Sequence, residues 1–194
     1  MPRLARLALL AALLPALGAC DTFGLGLGPS QPAAPAGRMI DYRHDDLASL
    51  VFALDIPVSL RPIPGGTTAS LDLSTAKGDR HVKAALVLAD GDGIGASLPP
   101  PGSGRTYVMF GFAEKDKQAL RAAQKWLSAQ PDVAPVTVLN VTPKLCETAA
   151  IDPAATTFAI RPALPGTAIL PLVDGAPIAR LAAATGGQLP RCGA

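Results

Sequence analysis

The stretch TYVMFGFAEKDKQALRAAQKWLSAQ, residues 106–130, decides the fold because its hydrophobic period changes part-way along. Over the first seven residues the side chains alternate, with Phe110 and Phe112 on one face, which is the period of a β-strand. We therefore predict a strand over Thr106–Phe112 whose aromatic face is buried in the core. In the alternative interpretation, the opposite face, Tyr107–Met109, stays exposed and receives a partner.

The second part of the stretch has the spacing of an amphipathic α-helix. Leu120, Ala123 and Leu127 recur at intervals of three and four residues, so they share one face of a helix. Two acidic residues stand at the start, where the positive end of the helix dipole favours negative charge, and a proline follows the last residue. We therefore predict one prominent helix over about residues 114–130.

The flanking regions add strands but little further helix. The apolar segment Leu47–Ile56 fits a strand or a helix, and Ala176–Thr185 fits a short C-terminal helix. A parallel sheet would need a helix between successive strands, which this order lacks. The sequence therefore predicts an α+β fold made mainly of an antiparallel β-sheet or a small β-sandwich. The further strands are predicted at Ala69–Ser74, His81–Ala89, Val136–Val141, Thr156–Ile160 and Thr167–Val173.

The N-terminus has the layout of a secretory signal peptide. Arg3 and Arg6 precede an apolar run from Leu7 to Leu14, which falls short of the roughly 20 residues that a spanning helix needs. The run leads to Leu17-Gly18-Ala19-Cys20, which resembles the lipobox of bacterial lipoproteins. The resemblance implies that residues 1–19 are removed and that Cys20 carries acyl chains, which anchor stably when several share one cysteine. The alternative is an ordinary signal peptide that happens to precede a cysteine.

The residues after the lipobox are typical of a flexible tether. Residues 20–38 comprise the lipidated cysteine and a segment rich in Gly, Pro and Ala, so a single globular domain is expected over 39–194. We expect the protein to lie in the bacterial cell envelope, anchored to a membrane and facing the periplasm. Asp21 matches a residue that retains some lipoproteins at the inner membrane, which makes that membrane the working hypothesis.

The charge balance argues against polyanionic partners. The chain carries 17 basic and 15 acidic side chains, and two of the basic ones lie in the predicted signal peptide. The mature chain would therefore hold 15 of each sign. A balanced chain offers no basic field for nucleic acid or for anionic lipid headgroups. We therefore expect no nucleic-acid partner.

The remaining cysteines form a natural pair once Cys20 is acylated. Cys146 and Cys192 would then be the two thiols left in an oxidising compartment, and we predict a disulfide between them. Two unpaired buried thiols are the alternative. A metal or redox site is disfavoured because no Cys-x-x-Cys motif is present.

Two acidic clusters invite a metal-binding interpretation but lack the context for it. Asp90-Gly91-Asp92-Gly93 resembles part of a calcium loop, yet Pro101 stands where such a loop needs a glutamate, so we interpret the segment as a turn. The second cluster, Asp41–Asp46, contains His44, and a two-histidine site would require His81 to converge on it. We interpret this cluster as a solvated entry segment with a capping aspartate, and we predict no metal ligand.

Catalytic signals are absent from the sequence. Ser103 lies in Pro-Gly-Ser-Gly-Arg, which lacks the glycine spacing and the preceding strand of a nucleophile elbow. We therefore predict no catalytic residue and no cofactor. A triad assembled from distant residues, which would make the protein a hydrolase, is the least favoured hypothesis.

These observations favour a non-catalytic lipoprotein that binds another envelope protein or serves envelope assembly. A tether raises the effective concentration of a domain against partners in the same membrane, which suits an accessory subunit. The alternative is a lipoprotein that binds a small molecule or metal and delivers it to a transporter. An apolar pocket between the predicted helix and the sheet would then hold the cargo.

Overall fold

Antiparallel strands make up most of the secondary structure in the computed structural model, which describes residues 37–91, 94–183 and 186–193. Cys20, Asp21 and the predicted tether up to residue 36 lie outside these ranges. The strands are β1 Val51–Pro57, β2 Leu60–Pro62, β3 Thr68–Thr75, β4 Gly78–Leu88, β5 Arg105–Phe112, β6 Val136–Thr142, β7 Leu145–Glu147, β8 Thr157–Ala163 and β9 Val173–Pro177. The α-helices are α1 Glu114–Ser128 and α2 Ala179–Ala182, and short 3₁₀ turns span Leu47–Ser49 and Gly95–Ser97.

Seven of these strands form one curled antiparallel sheet in the order β6-β3-β4-β5-β1-β8-β9. Strand β4 is the longest strand, and its two ends pair with different neighbouring strands. Residues 78–85 pair with β3, whereas residues 86–88 pair with β5. Strands β2 and β7 form a separate two-stranded sheet. The prediction of a mainly antiparallel α+β fold with one longer and one short helix is confirmed.

The aromatic face of β5 lies in the core, as its alternation predicted. Phe110 and Phe112 are both buried. Phe112 meets Phe52 of β1 edge to face, with ring centroids 5.4 Å apart. Strand β8 extends the same apolar layer through Phe158 and Ile160, which are also buried. The core therefore sits on the face of the sheet that the two-residue period selects.

Helix α1 covers this core and is fixed at both ends. Its buried residues are Leu120, Ala123 and Leu127, which are the three that the helical spacing selected. At its start, the Asp116 carboxylate accepts a hydrogen bond of 2.8 Å from the backbone N–H of Ala85 in β4. At its end, the Arg43 guanidinium donates to the carbonyl oxygens of residues 127 and 130, at 2.7 and 2.9 Å.

The C-terminal third differs from the prediction in two elements. The predicted strand Thr167–Val173 is wrong, because the structure places a strand only at Val173–Pro177. Pro171 has no N–H to donate to a ladder, and Thr167 makes only an isolated bridge with Arg38. The predicted helix over 176–185 is shorter, since residues 176 and 177 belong to β9 and residues 184 and 185 lie outside the described ranges.

The structure pairs Cys146 of β7 with Cys192 in the C-terminal tail, with the sulfur atoms 2.08 Å apart. Backbone hydrogen bonds run beside this pair. The N–H of Glu147 donates to the carbonyl of Pro190 at 2.8 Å, and the N–H of Cys192 donates to the carbonyl of Glu147 at 2.9 Å. The tail is therefore held against β7 by a covalent link and by a short stretch of backbone pairing.

Candidate functional site

Strand β6 forms one outer edge of the seven-stranded sheet. It pairs with β3 through seven residues, and in the residues that the structure describes no strand or backbone hydrogen bond occupies its other side. Alternate N–H and C=O groups of an edge strand point away from the sheet and are free to pair with another chain. We call the segment Val136–Thr142, with these outward backbone groups, the β6 edge.

The β6 edge buries one face against the core and exposes the other, on which two valines are followed by Asn140 and Thr142. Leu139 faces the core and is 7 % exposed, whereas Val136 and Val138 on the opposite face are 66 % and 45 % exposed. The sequence VTVLNVT contains no charged residue. Natural edge strands are usually protected by charge, proline, shortness or a bulge. The β6 edge has none of these within its seven residues.

Charged side chains begin only further into the sheet. Val138 lies beside Asp72 of β3, which in turn lies beside His81 of β4. The His81 imidazole contacts the Asp72 carboxylate, and both side chains are exposed. His81 therefore occupies the outer face of the sheet, where it makes a cross-strand contact with Asp72.

A groove lies beside the first turn of α1, on the face of the sheet opposite the core. It has a volume of about 340 Å³ and is lined by residues of α1, β1, β4 and β5, together with the turn before β1. Val51, Gly111 and Val87 form its floor as a row across three strands, because they are register partners. At the rim, Lys117 and Glu114 form an ion pair of 2.8 Å. The groove is thus largely apolar with one neutralised charge pair.

A polar cluster lies further along β1, β5 and β8, on the same face of the sheet as the groove floor and opposite the core. Asp55 and Arg105 form an ion pair of 2.7 Å, and Arg105 also donates to the carbonyl of Thr157 at 3.2 Å. Burial, with the Asp55 charge second, raises the pKa of Tyr107. Arg161 pairs with Asp174 at 3.4 Å. These groups neutralise one another and tie the strands together, so the cluster has a structural role.

The acidic segment Asp41–Asp46 is engaged in local hydrogen bonding. His44 contacts the Asp41 carboxylate at 2.7 Å, and this contact, together with the backbone N–H of Arg43, lowers the pKa of Asp41. The side-chain hydrogen bond from Arg38 lowers the pKa of Asp45 to about 2. Asp46 caps the 3₁₀ turn that follows, as the sequence predicted. Within the described ranges, no group of three or more His, Cys, Asp or Glu residues is arranged to hold a metal.

The other candidate residues from the sequence are dispersed. Asp90 and Gly91 begin the long β4–β5 connection, whereas Asp92 and Gly93 lie outside the described residues, as does Cys20. Ser103 is exposed in the turn before β5. The structure does not bring Ser103 to either the groove or the β6 edge.

Sequence analysis missed the β6 edge, because the pattern of this strand points to a different position in a sheet. Val136 and Val138 alternate with Leu139 and Val141, so both faces of the strand carry apolar side chains. Such a pattern is typical of a strand buried in the middle of a sheet. The strand order places it at the edge instead, which leaves Val136, Val138 and one row of backbone groups exposed.

No protein-family model, curated protein or solved structure matches this chain. Among the residues that the structure covers, no helix is long and apolar enough to cross a membrane.

Proposed function

We propose that this protein is a lipid-anchored periplasmic accessory domain that acts, without catalysis, by accepting a β-strand of a partner protein along the β6 edge. The observation that carries the proposal is the unprotected edge itself. Seven residues offer outward backbone groups, no charge, and two exposed valines on one face. Strand addition of this kind uses main-chain hydrogen bonds for affinity and alternate side chains for specificity.

The lipobox supports the membrane part of the proposal. Acylation of Cys20 would hold the domain at the membrane, and Asp21 would retain it at the inner membrane. Confinement to one surface raises the effective concentration of partners in that membrane, so a single strand of contact is sufficient for function. The balanced charge of the mature chain is consistent with recognition by backbone pairing and shape.

Photo-crosslinking in cells tests the binding site. A photoreactive amino acid is placed at Val138, on the β6 edge, and separately at Val58, which is 62 % exposed in the turn after β1 and serves as the matched control. We expect a discrete crosslinked protein band from position 138 and none from position 58. Equal crosslinking from both positions, or from neither, would refute the β6 edge as the binding site.

The membrane anchor is tested by Cys20→Ser. The lipidated wild type should sediment with the inner membrane, and the variant should lose its acyl label and leave the membrane fraction. Crosslinking from position 138 should also weaken in this variant, because the effective concentration falls. A wild-type protein without acyl label would contradict the anchor, whereas recovery in the outer membrane would contradict only the role of Asp21.

The groove favours a second candidate function, cargo binding before delivery to a transporter. Its volume of about 340 Å³ lies at the lower end of the range for small-molecule sites. Native mass spectrometry of the mature protein would reveal a bound small molecule. Gly111→Val provides the control, since the added side chain would project from the groove floor between Val51 and Val87 and should abolish binding.

A further inference from the structure

We infer that the strand received by the β6 edge is the same strand of a second copy, antiparallel to the first across a two-fold axis. The inference rests on the proposed strand addition at this edge, for which it names the partner. A two-fold interface must be self-complementary, because each residue of one copy meets the matching residue set of the other. Three properties of the β6 edge meet this condition: the positions at which the strand begins and ends, the order of its side chains, and the charges that surround it.

Two prolines fix the register of such a pairing. Pro135 precedes the strand and Pro143 follows it, and neither residue has an N–H to donate. The pairing segment is therefore limited to Val136–Thr142, whose middle residue is Leu139. An antiparallel pair of these segments makes its full ladder of seven residue pairs only when Leu139 of one copy lies opposite Leu139 of the other.

This register places compatible side chains opposite each other. On the exposed face, Val136 meets Thr142 and Val138 meets Asn140. On the face towards the core, Thr137 of one copy lies opposite Val141 of the other. The two Leu139 side chains lie opposite each other. Cross-strand pairs of β-branched and aliphatic residues stabilise antiparallel sheets. The exposed valines would thereby gain a neighbour without any loss of existing core contacts.

The charges also favour antiparallel self-pairing. The nearest charge on the outer face is Asp72 of β3, one strand in from the edge. The Asp72 carboxylates of two paired copies would lie three strand spacings apart and two residues out of line, at least about 14 Å, which exceeds the screening length of about 8 Å at physiological ionic strength. Beyond the two ends of the strand, Asp132 and Lys144 are both exposed. Antiparallel pairing brings the end that carries Asp132 of one copy towards the end that carries Lys144 of the other.

Disulfide trapping of the full-length lipidated protein in its membrane tests both the partner and the register. Two differently tagged copies, Val138→Cys and Asn140→Cys, are expressed together and mildly oxidised. We expect a mixed disulfide dimer, because directly opposite side chains come within about 5 Å. Either variant alone should remain uncrosslinked, since position 138 then faces Asn140 and position 140 faces Val138. The mismatched pair Val136→Cys with Asn140→Cys is the register control and should give little product.

The mass of the purified lipidated protein in detergent provides the second measurement. Light scattering should give twice the protomer mass for the wild type and for Val58→Lys, but one protomer mass for Val138→Lys. A lysine at position 138 protects the edge with charge and leaves the inner face unchanged, and circular dichroism checks that the variant folds. Dimers with the predicted disulfide support the inference.

Other outcomes separate this inference from the proposed function. A monomeric wild type that still photo-crosslinks from position 138 to a different protein overturns the second copy as partner and leaves strand addition standing. A monomer that crosslinks to nothing from position 138 overturns both. A dimer that Val138→Lys leaves intact shows that the copies meet elsewhere and overturns the pairing of β6 with β6.

Discussion

The two edge strands of the seven-stranded sheet, β9 and β6, differ in how well they are protected against pairing with a strand of another chain. Strand β9 is short, contains Gly175 at a φ of 63°, and ends at Pro177, which has no N–H. Its pairing with β8 has a register shift between Phe158 and Ile160, and Asp174 puts a charge on it. The β6 edge has seven regularly paired residues and no charge. One edge therefore carries the usual protections against strand addition, and the other carries none.

This difference is informative because one sheet contains both a protected edge strand, β9, and an unprotected one, β6. Protection of one edge shows that the sheet tolerates a bulge, a glycine, a proline and a charge at its border. The regular, uncharged β6 edge is consistent with the strand addition proposed above. The predictions below test whether the two edges are distinct regions of one stable domain.

The largest expected effect on stability comes from removing the disulfide Cys146–Cys192, which joins the segment after β6 to the segment after β9. Cys146 lies just after β6, and Cys192 lies in the tail after β9 and α2. For a sequence separation of 46 residues, chain entropy predicts that Cys146→Ser/Cys192→Ser lowers the free energy of unfolding by about 4 kcal/mol. Urea unfolding followed by the fluorescence of the single tryptophan, Trp126, measures it.

The control for this prediction is the wild type under reducing conditions, which should unfold at the midpoint of the double variant. Thiol counting on the unreduced mature protein is an independent measurement. Two free thiols there, or an unchanged unfolding midpoint in the variant, would show that the pairing does not stabilise the protein.

The next effect separates the two faces of β6. Leu139→Ala removes a side chain that is 7 % exposed and packed in the core, so it should lower the free energy of unfolding by about 2–5 kcal/mol. Val138→Ala, on the opposite face, should change the stability of the monomer by less than about 0.5 kcal/mol. Similar losses from both substitutions, measured by urea unfolding at low protein concentration, would mean that the outer face is already covered.

The protecting charge of β9 should contribute less. Asp174 is 67 % exposed and pairs with Arg161 at 3.4 Å, a geometry typical of weak surface ion pairs. Asp174→Asn should therefore lower the free energy of unfolding by at most about 1 kcal/mol, and added salt should shrink the difference. If light scattering also shows species of the variant that are larger than the wild-type dimer, Asp174 protects β9 against strand addition. A mass equal to that of the wild type would mean that Gly175, Pro177 and the irregular pairing with β8 protect β9 against strand addition.

The sequence predicted the parts of the fold that depend on local period. Strand β5 and helix α1 were found because burial selects alternate residues on a strand and every third or fourth residue on a helix, and β3 and β4 followed from the same reasoning. Strand β9 was misplaced because Ile169 and Leu170 look strand-like, while the missing N–H of Pro171 prevents a regular ladder. The role of β6 could not be predicted, since strand order depends on pairings between residues far apart in the chain.

The smallest expected effect concerns the entry segment, residues 38–46, which reaches the C-terminal end of α1 through Arg43. Arg38 bridges Thr167 through its backbone and holds the Asp45 carboxylate through its side chain. Because the pKa of Asp45 is lowered to about 2 from an ordinary 3.8, the contribution of this pair to stability is complete above about pH 4 and is lost as the pH falls towards 2. Asp45→Asn should therefore lower the Tm at pH 5, and the difference from the wild type should shrink as the pH falls towards 2. Dimer disulfide formation at β6 should not respond to this substitution. A Tm difference that stays constant between pH 5 and pH 2 would contradict the ion pair as its cause. A change in disulfide formation at β6 would show that the entry segment and the β6 edge are coupled and that the two edges are not independent.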